Sequence, residues 1–344
     1  MDTQEKEISK KFDRRKMITI ATAALIFLIA GGAWYFYAVD KPAGEAPVIV
    51  SVPKEATGAE IAAMLEEKGV IRNAGLFRAA VRVVGDANDL QHGYYRLKQG
   101  LTVREAIEAL RHGRAESKSV TIPEGMTVSQ IADLLKKAGL PGGVDFEKTA
   151  KTYVRYDYMK NTPPAPVLGE GFLWADTYDI PVDFSAKDIC DLMYERTDEM
   201  LTPEIRNKAE AKKMSLYTLM TIASLVEREA RLPEDQVPIA SVILTRISRG
   251  MPLQIDATVQ YALGKVKPEL TYADLETASP YNTYLHQGLP PGPIGAPGRA
   301  AISAVLEADV GDKLYYVAQK DGHHVFTKTL EEHEAKIEEI YGNT

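Results

Sequence analysis

Residues 50–69 read VSVPKEATGAEIAAMLEEKG, and residues 120–139 read VTIPEGMTVSQIADLLKKAG. When the chain is shifted by 70 positions, seven residues are identical with no insertion between them, in the first copy Val50, Pro53, Thr57, Ile61, Ala62, Leu65 and Gly69. Each copy has a short β-type run, a turn with a proline, a threonine placed to cap, and an amphipathic helix that ends at a glycine. The repeat therefore predicts a strand–helix unit that the chain uses twice.

The segment between the two copies completes a small module. Tyr94–Leu97 has the composition of a strand, and Thr102 with Glu105 forms a capping box that opens a helix over Val103–Arg111. Together with the first copy, these elements make residues 48–117 one small α+β module.

The second copy opens a larger domain, residues 118–344, in which helices and strands are again mixed. Its predicted elements are a helix capped by Ser215 that runs to about Ala230, a helix over Gln236–Arg249 stopped by Gly250, a helix with Asp256 as N-cap, a β-hairpin of Leu314–Ala318 and His323–Thr327, and a closing helix from Thr329 boxed by Glu332. The first of these helices carries apolar residues over a broad arc, so one of its faces is buried. We therefore expect the α+β fold class for both parts of the chain.

A membrane anchor is predicted near the N-terminus, because Met17–Ala38 contains no charged residue and ends in aromatic residues. At about 1.5 Å per residue, this run matches the roughly 30 Å hydrocarbon core of a bilayer and is longer than the apolar region of a cleaved signal peptide, which is the alternative interpretation. Six Lys and Arg residues precede the run, whereas Lys41 alone stands in the fifteen positions after it. The positive-inside rule then predicts a cytoplasmic tail at residues 1–16, one transmembrane helix at 17–38, a linker at 39–47, and the rest of the chain outside the cell membrane.

The composition of the 344 residues argues against several classes of protein. With 26% charged and 45% hydrophobic residues, the chain is globular and can bury more than one core. The 41 Lys and Arg residues against 48 Asp and Glu residues give a net charge of −7, which argues against nucleic acid as a partner. Cys190 is the single cysteine and the six histidines show no metal-ligand spacing, so the sequence predicts neither a metal site nor a cofactor.

Two carboxylates, Glu227 and Glu229, end the apolar helix in the sequence ASLVEREA of residues 223–230. A carboxyl group at the rim of an apolar face is partly desolvated, which raises its pKa towards the range that a general acid needs near neutrality. At 100° per residue the two side chains lie about 200° apart, so they cannot act as a close pair. This spacing does not choose between them, and two solvated charges near a helix end are the alternative interpretation.

A stiff loop is predicted at residues 279–298, SPYNTYLHQGLPPGPIGAPG, which contain five prolines and four glycines. Tyr281, Asn282 and Tyr284 supply the loop with aromatic faces and an amide, which are groups that bind sugars. The alternative is a structural crossover that binds no ligand.

Four motifs, in this order along the chain, resemble the YceG/MltG family of endolytic murein transglycosylases. They are ASLVERE at residues 223–229, LQIDATV at 253–259, YNTY at 281–284 and GLPPGPI at 288–294. The resemblance covers almost the whole chain, because the family has a short cytoplasmic tail, one membrane helix, a LysM-like module and a C-terminal catalytic domain. The chain departs from the family at Ala175, where the family usually has a proline.

The resemblance implies a lytic transglycosylase that cleaves the β-1,4 bond between N-acetylmuramic acid and N-acetylglucosamine within peptidoglycan strands, leaves 1,6-anhydromuramyl ends and terminates the elongation of nascent strands. It assigns the catalytic acid to the second glutamate of the first motif, Glu229. Gln254, Asp256, Asn282 and Tyr284 are the candidates for holding the sugars, although an N-cap role already accounts for Asp256. The implied partners are peptidoglycan strands and penicillin-binding proteins or other cell-wall synthesis proteins.

Functions of other classes are also compatible with parts of this pattern. A membrane-anchored glycan-binding protein or a divisome scaffold would account for the anchor, the small module and the aromatic loop. A hydrolytic muramidase would need a second carboxylate about 5 to 9 Å from the first. For the module at residues 48–117 two roles are compatible with the sequence: glycan binding, or a spacer that positions the catalytic domain above the membrane.

Overall fold

The computed structural model describes residues 17, 19, 22–27, 30–31, 47–53, 55–84, 90–112, 116–267 and 269–342. The chain divides into two compact units, Met1–Glu116 and Ser117–Thr344. The predicted tail, much of the predicted span at 17–38 and most of the predicted linker lie outside the described residues. Among the residues that are described, no helix is both long and apolar enough to cross a bilayer.

The first unit is a small α+β fold whose two strands pair antiparallel, from Pro47 opposite Lys98 to Val52 opposite Gly93. Its elements are β1 (Pro47–Val52), α1 (Gly58–Glu67), α2 (Ala74–Val84), β2 (Gly93–Lys98) and α3 (Val103–His112). One hydrophobic core joins all five elements, with side chains that include Val50, Leu65, Phe77, Tyr95 and Leu110. The predicted strand and helix are confirmed as β2 and α3, whereas the sequence analysis did not identify α2.

The predicted strand–helix repeat is confirmed. In the first copy the Thr57 side chain accepts a hydrogen bond from Glu60 N–H and the Glu60 carboxylate accepts one from Thr57 N–H, so the capping box is complete. The second copy has the same arrangement between Thr127 and Gln130, at the start of the helix Val128–Lys137. Just after each helix, the repeated glycine has a positive φ, near +70°, where glycine has no Cβ to strain the backbone.

The second unit is larger and mainly helical, with two small antiparallel sheets. Its elements are β3 (Ser117–Thr121), α4 (Val128–Lys137), α5 (Phe146–Thr152), β4 (Thr177–Pro181), α6 (Ala186–Met200), α7 (Pro203–Ala211), α8 (Leu216–Glu229), α9 (Gln236–Ser248), α10 (Asp256–Leu263), α11 (Tyr272–Leu275), α12 (Arg299–Glu307), β5 (Tyr315–Ala318), β6 (His324–Thr327) and α13 (Leu330–Tyr341). The first strand of the second copy, β3, pairs with β4, and β5 pairs with β6 as the predicted hairpin. The fold class is therefore α+β in both units.

Helix α8 is the central element of the second unit and packs against α9, α10 and α12. The Ser215 side chain caps it by accepting a hydrogen bond from Thr218 N–H, as predicted. From Leu219 to Val226 every side chain is buried, and the last turn then emerges beside the hairpin. The core of the unit thus fixes the C-terminal end of α8 at the surface, where Glu227 and Glu229 contact other parts of the unit.

Candidate active site

The two carboxylates at the end of α8 have different surroundings, in agreement with their predicted separation around the helix. Oε2 of Glu227 accepts a hydrogen bond of 3.0 Å from the backbone N–H of Gly298. Oε2 of Glu229 accepts a hydrogen bond of 2.9 Å from the hydroxyl of Tyr316 on β5. The first glutamate is thus tied to the proline-rich loop and the second to the hairpin.

Glu229 combines partial exposure with a desolvated carboxyl group. Part of its side chain remains accessible, but burial of the carboxyl by surrounding protein raises its pKa to about 7. The hydrogen bond from Tyr316 lowers this pKa, the negative charge of Asp256 raises it, and the Ala257 N–H and Arg228 lower it. A pKa near neutrality lets one carboxyl group donate a proton and take one back, as general acid–base catalysis requires.

Glu229 lines a cavity of about 420 Å³, in which four of the five predicted site residues meet: Glu229, Gln254, Asp256 and Tyr284. The Gln254 and Asp256 side chains are exposed at this surface. The other walls come from the hairpin, α9 and α13 and include Arg246, Tyr315, Tyr316, His324 and His333.

Hydrogen bonds across the chain bring the LQIDATV and YNTY motifs together. The Gln254 N–H donates to the carbonyl oxygen of Thr283 at 3.1 Å, and the Ile255 N–H donates to its hydroxyl at 3.0 Å. That hydroxyl also lies 2.9 Å from the hydroxyl of Thr258. These bonds hold Gln254 at a φ of +54°, which an L-residue adopts only under constraint.

Asp256 is not the N-cap of its helix, so that prediction was wrong. The helix α10 has Ile255 as its N-cap, and no side chain caps it. The Asp256 carboxylate instead accepts a hydrogen bond of 2.5 Å from the hydroxyl of Tyr284, 28 residues later in the chain. Capping therefore does not account for Asp256, and its carboxylate stands on the same cavity as Glu229.

Asn282 does not line this cavity. It is fully buried, and its Nδ2 donates to the carbonyl oxygens of Leu275 and Thr277 at 2.8 and 2.9 Å. Its Oδ1 accepts from the N–H of Tyr284 at 3.0 Å. Asn282 thus holds the loop that presents Tyr284, whereas the neighbouring Tyr281 is itself buried against Tyr261.

The proline-rich part of the loop at 279–298 is held against α8 by hydrogen bonds. The Ile294 N–H donates to the hydroxyl of Ser224 at 3.1 Å, and the Tyr217 hydroxyl donates to the carbonyl oxygen of Pro291. Tyr284 thus lies at the cavity, whereas the proline-rich part of the loop packs on the helix.

Sequence reasoning missed Arg246, Tyr316 and His324, which also line the cavity. Nη1 of Arg246 donates to the carbonyl oxygen of Leu253 at 2.7 Å and to Oε1 of Gln254 at 3.2 Å. The hairpin that carries Tyr316 and His324 was predicted, but no local signal showed that it approaches the end of α8.

A second buried acid, Glu170, lies in a different and larger cavity of about 480 Å³. It is 2% exposed, and burial raises its pKa to about 7. Its two oxygens are already engaged, by the Val128 N–H at 3.0 Å and by the hydroxyl of Tyr261 at 2.9 Å. This carboxyl ties α4 and α10 together, whereas Glu229 lines a cavity with the exposed side chains of Gln254 and Asp256.

Comparison with known proteins gives a consistent match over both units. Residues 50–339 match the YceG-like family. A protein of Bacillus subtilis (strain 168) named endolytic murein transglycosylase is 34% identical over 334 residues, which are 91% of this chain and 91% of the relative. A protein of the same name from Streptococcus pneumoniae serotype 2 is 29% identical over 92% of this chain, which spans 63% of that relative.

A solved structure is also similar. The 2.6 Å crystal structure of a yceG-like protein from Listeria monocytogenes is 34% identical, with a TM-score of 0.59, over 85% of this chain and 99% of that chain.

Proposed function

The chain belongs to the YceG-like family, and from this premise we propose that it is an endolytic murein transglycosylase whose general acid is Glu229. Its substrate is the β-1,4 bond between N-acetylmuramic acid and N-acetylglucosamine within a peptidoglycan strand. One observation about the Glu229 carboxyl carries this proposal. Burial raises the pKa of this group to about 7, and the group lies on a cavity with exposed polar side chains.

One carboxyl group is sufficient for the reaction. The protonated Glu229 donates its proton to the glycosidic oxygen while the bond from that oxygen to the muramyl C1 breaks, and C1 gains oxocarbenium character. The resulting carboxylate then takes the proton from the muramyl C6 hydroxyl, whose oxygen forms the new bond to C1. The products are a free 4-hydroxyl on the leaving sugar and a 1,6-anhydromuramyl end, and no water is consumed.

The polar residues opposite Glu229 fit the charge that develops in this reaction. In this proposal the Asp256 carboxylate, which accepts a hydrogen bond of 2.5 Å from the Tyr284 hydroxyl and lines the cavity with Glu229, supplies negative charge that stabilises the carbon that becomes cationic. The exposed amide of Gln254, anchored by Arg246 at 3.2 Å, offers a hydrogen-bonding group for sugar hydroxyl or acetamide groups. In this proposal Gln254, Asp256 and Tyr284 hold the sugars, and Asn282 positions Tyr284.

Hydrolysis is the second candidate reaction, because the structure supplies a second carboxylate on the cavity. Glu227 is bonded to Gly298 and does not line the cavity, but Asp256 lines it with Glu229. A hydrolytic muramidase uses such a pair to activate water or to form a covalent intermediate. The two candidates differ in whether an oxygen atom from water enters the product.

The experiment is digestion of intact peptidoglycan by the purified full-length protein in water enriched in ¹⁸O, followed by mass analysis of the products. Transglycosylation gives anhydromuramyl ends without ¹⁸O, whereas hydrolysis gives reducing ends that carry one ¹⁸O atom. Labelled reducing ends as the main product would replace the proposed reaction by hydrolysis. Absence of both products would overturn the proposed function.

The setting of the enzyme is also part of the proposal. We propose a single-pass anchor at residues 17–38 with the N-terminus in the cytoplasm, supported by the uncharged run and the basic residues before it. In this arrangement the first unit is a LysM-like module that spaces the catalytic unit from the membrane or binds glycan, and cell-wall synthesis proteins such as penicillin-binding proteins are the partners. The test is a reporter enzyme of a kind that works only in the cytoplasm, fused after Thr344. Activity of this reporter would contradict the arrangement.

A further inference from the structure

His324 is another titratable side chain on the cavity that holds Glu229. Its side chain is only 5% exposed. Nδ1 of the ring lies 2.8 Å from Oδ2 of Asp235, and the backbone N–H of His324 donates to the same oxygen at 2.9 Å. Because an ionised carboxylate only accepts hydrogen bonds, Nδ1 carries a proton in this pair, and Nε2 is the ring nitrogen that does not face Asp235.

The Asp235 carboxylate forms hydrogen bonds with His324 and does not cap its own helix. It occupies the N-cap position of α9, where aspartate commonly caps, but its side chain makes no capping hydrogen bond. The residue is 5% exposed, and the hydrogen bonds found for its carboxylate within the described part of the chain both come from His324. A buried carboxylate used in this way fixes the tautomer and the orientation of an imidazole ring.

The ring is fixed beside the proposed general acid. The Tyr316 ring lies edge-on to that of His324, with centroids 5.7 Å apart, and the Tyr316 hydroxyl donates to Glu229 at 2.9 Å. His324, Tyr316 and Glu229 therefore follow one another along one wall of the cavity. In the part of the chain that the structure describes, no hydrogen-bond partner is found for Nε2 of His324.

We propose that His324 contacts the substrate, with its Nε2 forming a hydrogen bond with a hydroxyl group of the glycan strand while Glu229 acts on the neighbouring glycosidic bond. The inference rests on the proposed function and adds a residue to the same site. Sugar hydroxyl groups fit this role because a hydroxyl both donates and accepts hydrogen bonds, so it can pair with the ring nitrogen that does not face Asp235. Asp235 is then the positioning residue of His324.

The test uses substitutions that separate the two nitrogens of the ring. In His324→Asn the amide NH₂ can take the place of Nδ1–H opposite Asp235, but no group remains at the position of Nε2. We expect His324→Asn to lower kcat/KM on peptidoglycan about tenfold to hundredfold and to keep the parent's melting temperature. His324→Gln, whose amide reaches the position of Nε2, should restore part of the loss.

His323→Asn is the matched control, because His323 precedes His324 on the same hairpin but has a side chain 46% exposed, near Glu234 on the surface. We expect it to have the parent's kcat/KM. Asp235→Asn should raise KM more than it lowers kcat, because an amide can donate to Nδ1 as well as accept from it, so the tautomer of the ring is no longer fixed. A purely structural role for the pair would instead lower the melting temperature in all Asp235 and His324 variants and leave the KM of the folded fraction unchanged, and this result would overturn the proposal.

A second measurement does not depend on the folding of any His324 variant. Glu229→Gln, which should bind glycan without cutting it, is labelled with ¹⁵N-histidine and titrated with a peptidoglycan tetrasaccharide. We expect the Nε2 resonance of His324 to shift and that of His323 to stay in place. An unchanged His324 resonance at saturating glycan, or equal activity of His324→Asn and His323→Asn, would overturn the inference, whereas an inactive parent would overturn the proposed function itself.

Discussion

The hydroxyl of Tyr316 donates a hydrogen bond of 2.9 Å to Oε2 of Glu229 and joins residues that are 87 positions apart. The hairpin thereby influences the pKa of the carboxyl group at the end of α8. Burial of Glu229 raises its pKa, and the phenol donor opposes this shift because it stabilises the carboxylate form. The resulting pKa of about 7 is a balance between a local and a distant part of the sequence.

Tyr316→Phe should move the pH profile of the enzyme towards higher pH. The substitution removes a hydrogen bond that lowers the pKa of Glu229, so the pKa rises and the protonated acid persists to higher pH. The alkaline limb of log kcat/KM against pH should therefore shift upward, and the rate at its maximum should change less than about tenfold. Tyr315→Phe, on the adjacent residue, is the control, and an alkaline limb that moves equally in both variants would contradict this account.

Glu229→Gln should abolish cleavage and leave the fold intact. An amide keeps the size of the side chain but cannot donate or take the proton, so we expect a loss of about 10²- to 10⁴-fold or more in kcat. Glu227→Gln, on the same turn but bonded to Gly298, should cost much less. Release of anhydromuramyl products is the measurement, with circular dichroism for the fold. The assignment fails if Glu227→Gln is the inactive variant while Glu229→Gln still cuts.

Gln254→Gly should lower the activity of the enzyme without lowering its stability. Gln254 has a φ of +54°, a conformation that glycine adopts without the strain of a Cβ, so the variant should be as stable as the parent or up to about 1 kcal/mol more stable. Because Gln254 lines the cavity, its loss should lower kcat/KM on peptidoglycan.

Lys213→Gly is the control for this prediction, because Lys213 also has a φ of +54° and does not line the cavity. It should show the gain in stability without the loss of activity. Urea unfolding and peptidoglycan digestion measure the two effects. Full activity of Gln254→Gly would show that the side chain does not contact the substrate.

Tyr284→Phe and Asp256→Asn should not act independently. The Tyr284 hydroxyl holds the Asp256 carboxylate at 2.5 Å, so either substitution breaks the same hydrogen bond. In a double-mutant cycle on kcat/KM we expect a coupling energy of about 1 to 3 kcal/mol. Additive losses would mean that the two residues act on the substrate separately.

Glu170→Gln should make stability less dependent on pH. Folding raises the pKa of this buried carboxyl from 4.5 to about 7, so the protonated form is favoured in the folded state. The stability that this group contributes is present below the unfolded pKa of 4.5 and is lost as the pH rises through 7. The free energy of unfolding of the parent should therefore fall by about 2 to 3 kcal/mol more between pH 4.5 and pH 8 than that of the variant.

An amide can satisfy the same neighbours at position 170, since its oxygen can accept from the Val128 N–H and its NH₂ can donate to the Tyr261 hydroxyl oxygen. The exposed Glu210→Gln serves as the control and should follow the parent. Chemical unfolding at several pH values measures the effect, and a parallel pH dependence in Glu170→Gln and the parent would contradict the burial argument.

Much of the fold could be predicted from the sequence because its signals are local. Thr57 and Thr127 cap helices through residues three positions away, and the glycines after these helices adopt the conformation that ends them. The hairpin before α13 and the apolar face of α8 likewise depend on neighbours along the chain or on helical periodicity. The spacing of Glu227 and Glu229 correctly placed them apart, since it follows from helix geometry alone.

The sequence by itself thus determined the strand–helix repeat and the burial of α8. Through its family motifs it also determined a short set of candidate residues. The tertiary structure decided which of these residues share a cavity: it buried Asn282, turned Asp256 from a cap towards Tyr284, and brought Tyr316 to Glu229. Local patterns cannot show this, because the contacts join residues 28 to 87 positions apart. Such contacts depend on how the helices and the hairpin pack, and packing is a property of the whole core rather than of any one segment.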